Sequence, residues 1–425
     1  MRLLIFIFAT MSLICSDIEV HKLLENEHYD PVHRTTVDFA NHSKRNYVDM
    51  TSEGNLGIVY RSVEDVGDRG KKKITVFYHD LQSHELEVIT SFTTYRVPQM
   101  NLLLVYDNLD LPHIVLNYKY KFIHYSRRKD TWKERKLPIS LRRMLGGAVQ
   151  KSRMYHIVVG KNNNLYLLLL AMVNLKQRIL LAEYSQKRWQ IKEIPNVPQK
   201  LRKIFFVEIY DLQNFSILYK KLDNLCYAEV ENNAWQEETV IKAGNLEEAG
   251  WEASLVHNEG KVYIASTFRR VVSSGSLVFS KLLWSYRAKG KWKTETIADQ
   301  SQGYSGSDGR KYTGASPHSF FDEKGRAHII FNDISSWHSK GFNDFTEGNL
   351  RHSYQKGSTW KNEILYPQVG QWHKKQPLYE FLYPVAIYTR GKLHCFGIER
   401  VTNGKTTRFS GEKPMTFSIV HIVVD

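Results

Sequence analysis

Four stretches of the chain collect side chains suited to gripping a polar or anionic molecule. Arg269 and Arg270 stand between Phe268 and Phe279. Tyr304, Asp308, Arg310, Lys311 and Tyr312 fall between Ala298 and Gly314. Trp337, His338 and Asp344 fall between Asn332 and Gly348, and Trp372, His373, Lys374 and Lys375 between Tyr366 and Glu380. A guanidinium fork takes a carboxylate or sulfate through two parallel hydrogen bonds, and indole and phenol rings present broad apolar faces to a sugar. The ligand-binding residues expected from this pattern are Arg269, Arg270, Tyr304, Arg310, Lys311, Trp337, Trp372 and His373. His318 precedes an inner strand and is expected to point into the mouth of a central channel. Taken singly, each of these residues is also what a solvated loop contains; their concentration in four long connections gives them weight.

A histidine recurs in Pro112-His113-Ile-Val, in Ala327-His328-Ile-Ile and again at His394. A residue repeated at one position of a repeating unit is read as packing or a hydrogen bond specific to the repeat, not as catalysis. Other chemistries lack their motifs. There is no His-Glu-x-x-His, no zinc spacing of cysteines and no calcium loop, so no metal or cofactor is expected. Gly303-Tyr-Ser305-Gly-Ser307 fails as a nucleophile elbow at its last position.

The elements that position these residues are written as a repeat. A strand ending in Tyr, a short turn, a Trp and an alternating tail recur at Tyr125…Trp132, Tyr184…Trp189, Tyr227…Trp235, Tyr286…Trp292 and Tyr354…Trp360. The tryptophans lie between 46 and 68 positions apart, a period that marks a repeat architecture. The fifth unit is the clearest: Glu252–His257, a turn at Asn258-Glu-Gly260, Lys261–Thr267, Leu282–Tyr286, a turn at Ala288-Lys-Gly290, then Trp292–Ile297. Four antiparallel strands of this length make one propeller blade. Seven such units are expected, with the last completed by Ile18–Leu23 pairing beside Phe417–Val424. Six or eight also fit, because the first unit is the least regular. The fold class is therefore all-β, a seven-bladed propeller over residues 17–425. The tryptophans of the outer strands are expected to pack between blades.

Basic residues outnumber acidic ones by 59 to 44, giving a formal charge of +15 spread along the chain. An anionic partner fits this balance. Nucleic acid does not, for want of a recognition helix or a basic stripe. The chain opens Met1-Arg2, followed by the apolar run Leu3–Ala9 and a small-residue exit to Ser16. This reads as a secretory signal over residues 1–16, too short to span a bilayer. Leu13-Ile14-Cys15 has the outline of a lipidation box, but Ile14 is bulky for its position, so a lipid anchor is disfavoured and a secreted protein expected. Cys226 and Cys395 fall in the fourth and seventh units, too far apart to bridge; two buried thiols are expected.

Asp322-Glu-Lys-Gly-Arg-Ala-His328-Ile-Ile-Phe331, with Leu350–Tyr354 and Gly357-Ser-Thr-Trp360, resembles the repeats of sialidase-like (BNR-like) propellers. The resemblance extends over most of the chain as a pattern. It implies a glycan-directed protein, since such propellers include sialidases, polysaccharide lyases and lectins. The sialidase box Ser-x-Asp-x-Gly-x-x-Trp is missing from the sequence, which argues against sialidase activity. Two expectations follow: a propeller that binds an acidic polysaccharide, a glycoconjugate or an extracellular protein through the loops of blades 5–7, and a lyase cleaving uronate polymers by β-elimination. The second needs a cation against the uronate carboxylate and a base for the C5 proton. Arg310 is the candidate for the first role, and His318, His338 and Tyr312 for the second.

Overall fold

The computed structural model of the protein describes residues 18–26, 36–38, 47–66, 71–95, 100–118, 121–128, 131–137, 149–160, 162–174, 176–198, 200–271, 277–299, 312–340, 343–367, 378–402 and 415–424. Every regular element among them is a β-strand, and the strands form seven sheets. Blade 2 runs β7 (Met100–Tyr106), β8 (Pro112–Tyr118), β9 (Lys121–Arg128) and β10 (Thr131–Lys136). Blade 3 runs β11 (Val149–Val159), β12 (Leu165–Val173), β13 (Lys176–Ser185) and β14 (Arg188–Glu193). Blade 4 runs β15 (Leu201–Ile209), β16 (Phe215–Lys221), β17 (Asn224–Glu231) and β18 (Ala234–Ile241). Blade 5 runs β19 (Glu247–Asn258), β20 (Lys261–Val271), β21 (Leu277–Ala288) and β22 (Lys291–Asp299). Blade 6 runs β23 (Tyr312–Phe321), β24 (Ala327–Lys340), β25 (Asn343–Lys356) and β26 (Thr359–Pro367). Each is an antiparallel meander in sequence order.

Blade 1 departs from this plan. Its inner strand is in two pieces, β2 (Thr36–Asp38) and β3 (Val48–Met50), which share β4 (Leu56–Asp65) and are followed by β5 (Lys72–Asp80) and β6 (Glu85–Thr94). That break is why the first unit reads least regularly. Blade 7 joins β27 (Leu378–Thr389), β28 (Lys392–Thr402) and β29 (Met415–Val424) to β1 (Ile18–Asn26) as its outermost strand. Ile18 pairs with Val424 and Asn26 with Phe417. The closing strand predicted from sequence is therefore in place, and it covers an edge that β29 would otherwise expose.

Alternation along the strands drives the packing between blades. In blade 4, Ile217 and Tyr219 face the core shared with blade 3, while Leu218 and Tyr227 face the core shared with blade 5. The repeat tryptophans all pack backward onto the preceding blade. Trp132 meets Tyr78 at 5.3 Å and donates to Glu87 at 2.8 Å. Trp292 meets Tyr227 at 5.9 Å and donates to Glu238 at 2.7 Å. Trp360 meets Trp284 at 5.6 Å. Trp189 and Trp235 lie in the cores on either side of blade 3. Each of the five indoles stabilises its own junction, from blades 1–2 to blades 5–6, by several kcal/mol, at about 25 cal/mol per Å² of buried apolar surface.

Hydrogen bonds tie the blades together around the ring. The Asp49 carboxylate accepts from the Tyr106 N–H (2.8 Å), and the Asn101 amide donates to the Met154 carbonyl (3.4 Å). Lys192 donates to the Asn233 amide oxygen (3.1 Å), and His257 meets Glu208 at 2.6 Å. Ser254 and Ser319 share a 2.8 Å bond, the Ala386 N–H donates to His318 Nδ1 (3.1 Å), and the Tyr47 hydroxyl donates to the Phe396 carbonyl (3.3 Å). Cys226 on β17 and Cys395 on β28 are buried free thiols, as their placement in blades 4 and 7 required.

Two of the four expected loops are corrected. The stretch from Asn332 to Gly348 is a continuation of the ladder between β24 and β25, paired out to Lys340 and Asn343. Most of Phe268–Phe279 is likewise strand, with Phe268–Val271 on β20 and Leu277–Phe279 on β21. The physical reason is that an antiparallel ladder satisfies its own backbone groups. It can extend past the core with polar side chains, which removes the apolar alternation by which a strand is read. Parts of Ala298–Gly314 and Tyr366–Glu380 lie outside the described residues.

Candidate functional site

In each blade the connection from second to third strand and the connection into the next blade emerge on one face of the ring. On that face, the junction of blades 4 and 5 gathers a cluster built from four strands. Lys203 lies near the start of β15, Lys220 near the end of β16, Glu248 and Trp251 near the start of β19, and Arg269 near the end of β20. Trp251 is 39% exposed. The Arg269 guanidinium carbon lies 3.2 Å from its ring centroid, with Lys220 Nζ at 5.6 Å and Lys203 Nζ at 5.8 Å. Each such contact contributes about 0.5–2 kcal/mol, more as water is excluded.

The backbone at Gly250 produces this display. Ala249 pairs with Phe268 and Ala253 with Ser266, so Gly250, Trp251 and Glu252 together oppose Thr267. Gly250 has φ +64°, and a Cβ there would meet Leu225 Cδ1 at 2.7 Å. Glycine is what lets the strand bulge, and a bulge re-aims the residue beside it. Glu252 is held by the Ser316 N–H, and the Ala249 N–H donates to the Asp223 carbonyl at 2.8 Å, so both flanks of Trp251 are pinned.

The cations are held in place as well. Glu248 Oε2 accepts from Lys220 Nζ at 3.0 Å and from Arg269 Nε and Nη2 at 3.0 and 2.8 Å. Burial opposes ionisation of Glu248, but the hydrogen bonds from Lys220 and Arg269 prevail and hold its carboxyl below the usual range. Asp223 lies 3.6 Å from Lys220. Lys203 Nζ donates to the Trp251 carbonyl at 3.0 Å. Lys220 and Arg269 thus share the Glu248 carboxylate, Arg202 and Lys220 flank Asp223, and Lys203 stands over the same half-exposed indole. A ligand carboxylate or sulfate beside these cations is attracted by them and opposed by the Glu248 carboxylate they already hold.

The residues picked out from sequence are distributed as follows. Arg269 belongs to the cluster and Arg270 is its exposed neighbour on β20; both sit on a strand, not a loop. His318 does not precede the inner strand but lies within β23, and its Nδ1 accepts the Ala386 N–H of blade 7. It is a tie between blades, because the inner strand's alternation turns it toward the neighbour. Tyr312 opens β23 opposite Ile334, and Trp337 and His338 sit on β24 opposite Thr346 and Phe345. Tyr304, Arg310, Lys311, Trp372 and His373 lie outside the described residues. Trp251, Glu248, Lys203 and Lys220 were not among the sequence candidates. The signal available for them was the Gly250-Trp251 step just ahead of the alternating run that begins at Glu252.

The recurrent histidines each acquire a partner one strand outward. His113 Nδ1 lies 2.9 Å from His124 Nε2, His328 Nδ1 2.8 Å from His352 Nε2, and His394 Nδ1 2.9 Å from His421 Nε2. All three pairs are stacked, at 5.1, 5.1 and 5.2 Å. Asp107 and Asp322 stand 3.3 Å from the outer nitrogens of His113 and His328. The hydrogen bond specific to the repeat is therefore a histidine–histidine bond. Among the described residues no group of three or more His, Cys, Asp or Glu is placed to hold a metal ion. No helix among them is long and apolar enough to cross a membrane.

No family model matches the chain, and no curated protein matches it. Among solved structures it is similar to the polysaccharide lyase Uly1, with a TM-score of 0.54 and 12% identity over 97% of this chain and 100% of that one. Weaker likenesses, which bear no weight, reach the GH93 α-L-arabinofuranosidase of Fusarium graminearum (TM-score 0.41, 11% identity, 74% of this chain and 91% of that one) and a PL25 ulvan lyase (TM-score 0.39, 9% identity, 90% and 84%). At such identity the likeness to Uly1 shows the fold alone: a propeller, which in this chain has the seven blades that the count of repeats led us to expect.

Proposed function

We propose that the protein is a secreted propeller that binds an acidic glycan, carboxylated or sulfated, at the Trp251 corner. The observation that carries this reading is the convergence of Lys203, Lys220 and Arg269 within 6 Å of a solvent-open indole. An aromatic face for the sugar and fixed cations for its anion are the two things such a ligand requires. The net charge of +15 favours encounter with a polyanion, and the signal-like pattern of the first residues supports an exported protein in this reading. The test is a glycan array probed at low and at moderate salt. Binding confined to uronate or sulfated glycans and weakened by salt is expected; uniform silence at low salt would remove the reading.

A second reading is β-elimination on a uronate polymer; it is supported by a fold shared with Uly1, which is described as a polysaccharide lyase. The same cations would neutralise the uronate carboxylate. With His318 committed to blade 7, the base would be Tyr312 or His338 of blade 6. Ultraviolet absorbance of the unsaturated product, followed across a panel of uronate polymers, separates the readings: a rise makes the protein a lyase, and a flat trace with retained binding makes it a lectin-like module.

A further inference from the structure

The inner strand of blade 4 carries a second aromatic beside the same cation. Ile204 pairs with Tyr219 and Phe206 with Leu218, so Phe205 is the extra residue of a β-bulge. Phe205 is partly buried. Lys203 Nζ lies 5.2 Å from its ring centroid and 5.8 Å from that of Trp251. One ammonium, fixed by its bond to the Trp251 carbonyl, is thus flanked by two rings from adjacent blades. The neighbouring inner strand repeats the bulge at the same register. In β11, Met154 pairs with Leu169 and His156 with Leu168, which makes Tyr155 the extra residue. Aromatic residues therefore occupy equivalent register positions in blades 3 and 4, on the side of blade 4 away from Trp251.

We propose that Trp251 and Phe205 form two adjoining sugar subsites bridged by the Lys203 ammonium, so that the site reads a stretch within a polyanionic chain and not a lone terminal acid sugar. The inference rests on the acidic-glycan reading and deepens it by naming the ligand class, a contiguous oligosaccharide with a charged group between two rings. A single sugar can stack on one ring only. Two linked sugars can cover both while an acid group borne near their linkage meets Lys203.

The test is a length series, monosaccharide to hexasaccharide, of oligogalacturonate, oligoalginate and heparin fragments, measured by calorimetry on the full chain. The disaccharide of at least one series is expected to bind about tenfold more tightly than its monosaccharide. Phe205→Leu keeps an apolar side chain in the partly buried position and is expected to bring that ratio close to one, with a cooperative thermal melt retained. Trp251→Leu is expected to weaken every length. Equal affinity for mono- and disaccharide, or a Phe205→Leu protein that keeps the full gain with length, overturns the two-subsite inference and leaves the acidic-glycan reading standing. Silence of the wild type toward every fragment overturns both.

Discussion

The guanidinium carbon of Arg269 lies over Trp251, 3.2 Å from its ring centroid, while Nε and Nη2 of the same side chain both reach Glu248. One side chain thus joins the aromatic and ionic halves of the corner. Residues from the far end of one strand and the near end of another meet there because the ring sets β20 beside its own inner strand and beside blade 4.

Replacing Trp251 by Leu removes the surface on which three cations converge. An affinity loss of about tenfold for the bound polyanion is expected, equivalent to ~1.4 kcal/mol. Arg269→Lys keeps the charge but not the planar fork, so a smaller loss is expected. Both effects should shrink as salt is raised past the range where the Debye length falls below ~8 Å. Calorimetry at two salt concentrations checks this; a Trp251→Leu protein with wild-type affinity would contradict it.

Gly250→Ala tests the bulge. Alanine at φ +64° costs about 1–2 kcal/mol, and its Cβ would press on Leu225, which is fully buried. A lower melting temperature and weakened polyanion binding are expected together, because the strain and the presentation of Trp251 share one residue. Intact binding in a destabilised variant would show that the ring is held by its cations alone.

The histidine pairs make stability depend on pH. Burial, helped by the neighbouring His352, lowers His328 to about 4, and burial with His394 and His21 lowers His421 to about 3. Both lie below the ordinary 6.5 of the unfolded chain. Above 6.5 neither state binds the proton. Between 6.5 and about 4 the unfolded chain takes up protons that the fold refuses, so stability falls as pH falls, levelling off below the folded values. Asp49, pushed up to about 6 by burial, acts in the opposite sense and offsets part of the slope. Urea melts at pH 7 and pH 5 are expected to show a net loss. The loss should be smaller in His421→Phe, where the new ring keeps the stacking on Phe396 now seen at 4.4 Å. An equal slope in the variant would rule out the pair as its source.

Removing β1 tests closure. A chain beginning after Asn26 loses the partner of β29 from Ile18–Val424 to Asn26–Phe417 and the packing of Ile18 against the last blade. An open outer edge favours association between molecules. Self-association on size-exclusion chromatography and a lowered melting temperature are expected; a monomer melting like the full chain would show that β1 is dispensable.

The ring itself was legible in the sequence, because its causes are local and repeated. Period-two alternation, turns such as Asn258-Glu-Gly260 and Ala288-Lys-Gly290, and a tryptophan on the outer strands of blades 2–6 recur often enough for one clear unit to decode the others. Even the closing strand could be read, since Ile18–Leu23 alternates and the last unit ends one strand short. The polar reach of β24 and β25 could not, because ladder bonds are made by backbone and leave no mark on side-chain pattern. Nor could the partners of His113, His328 and His394, which depend on the register of a strand farther out. Above all, the corner at Trp251 was decided by tertiary structure. Lys203, Lys220, Glu248, Trp251 and Arg269 are scattered over two repeats, and only the closing of seven sheets into a ring sets the strand ends of blade 4 against the bulge of blade 5.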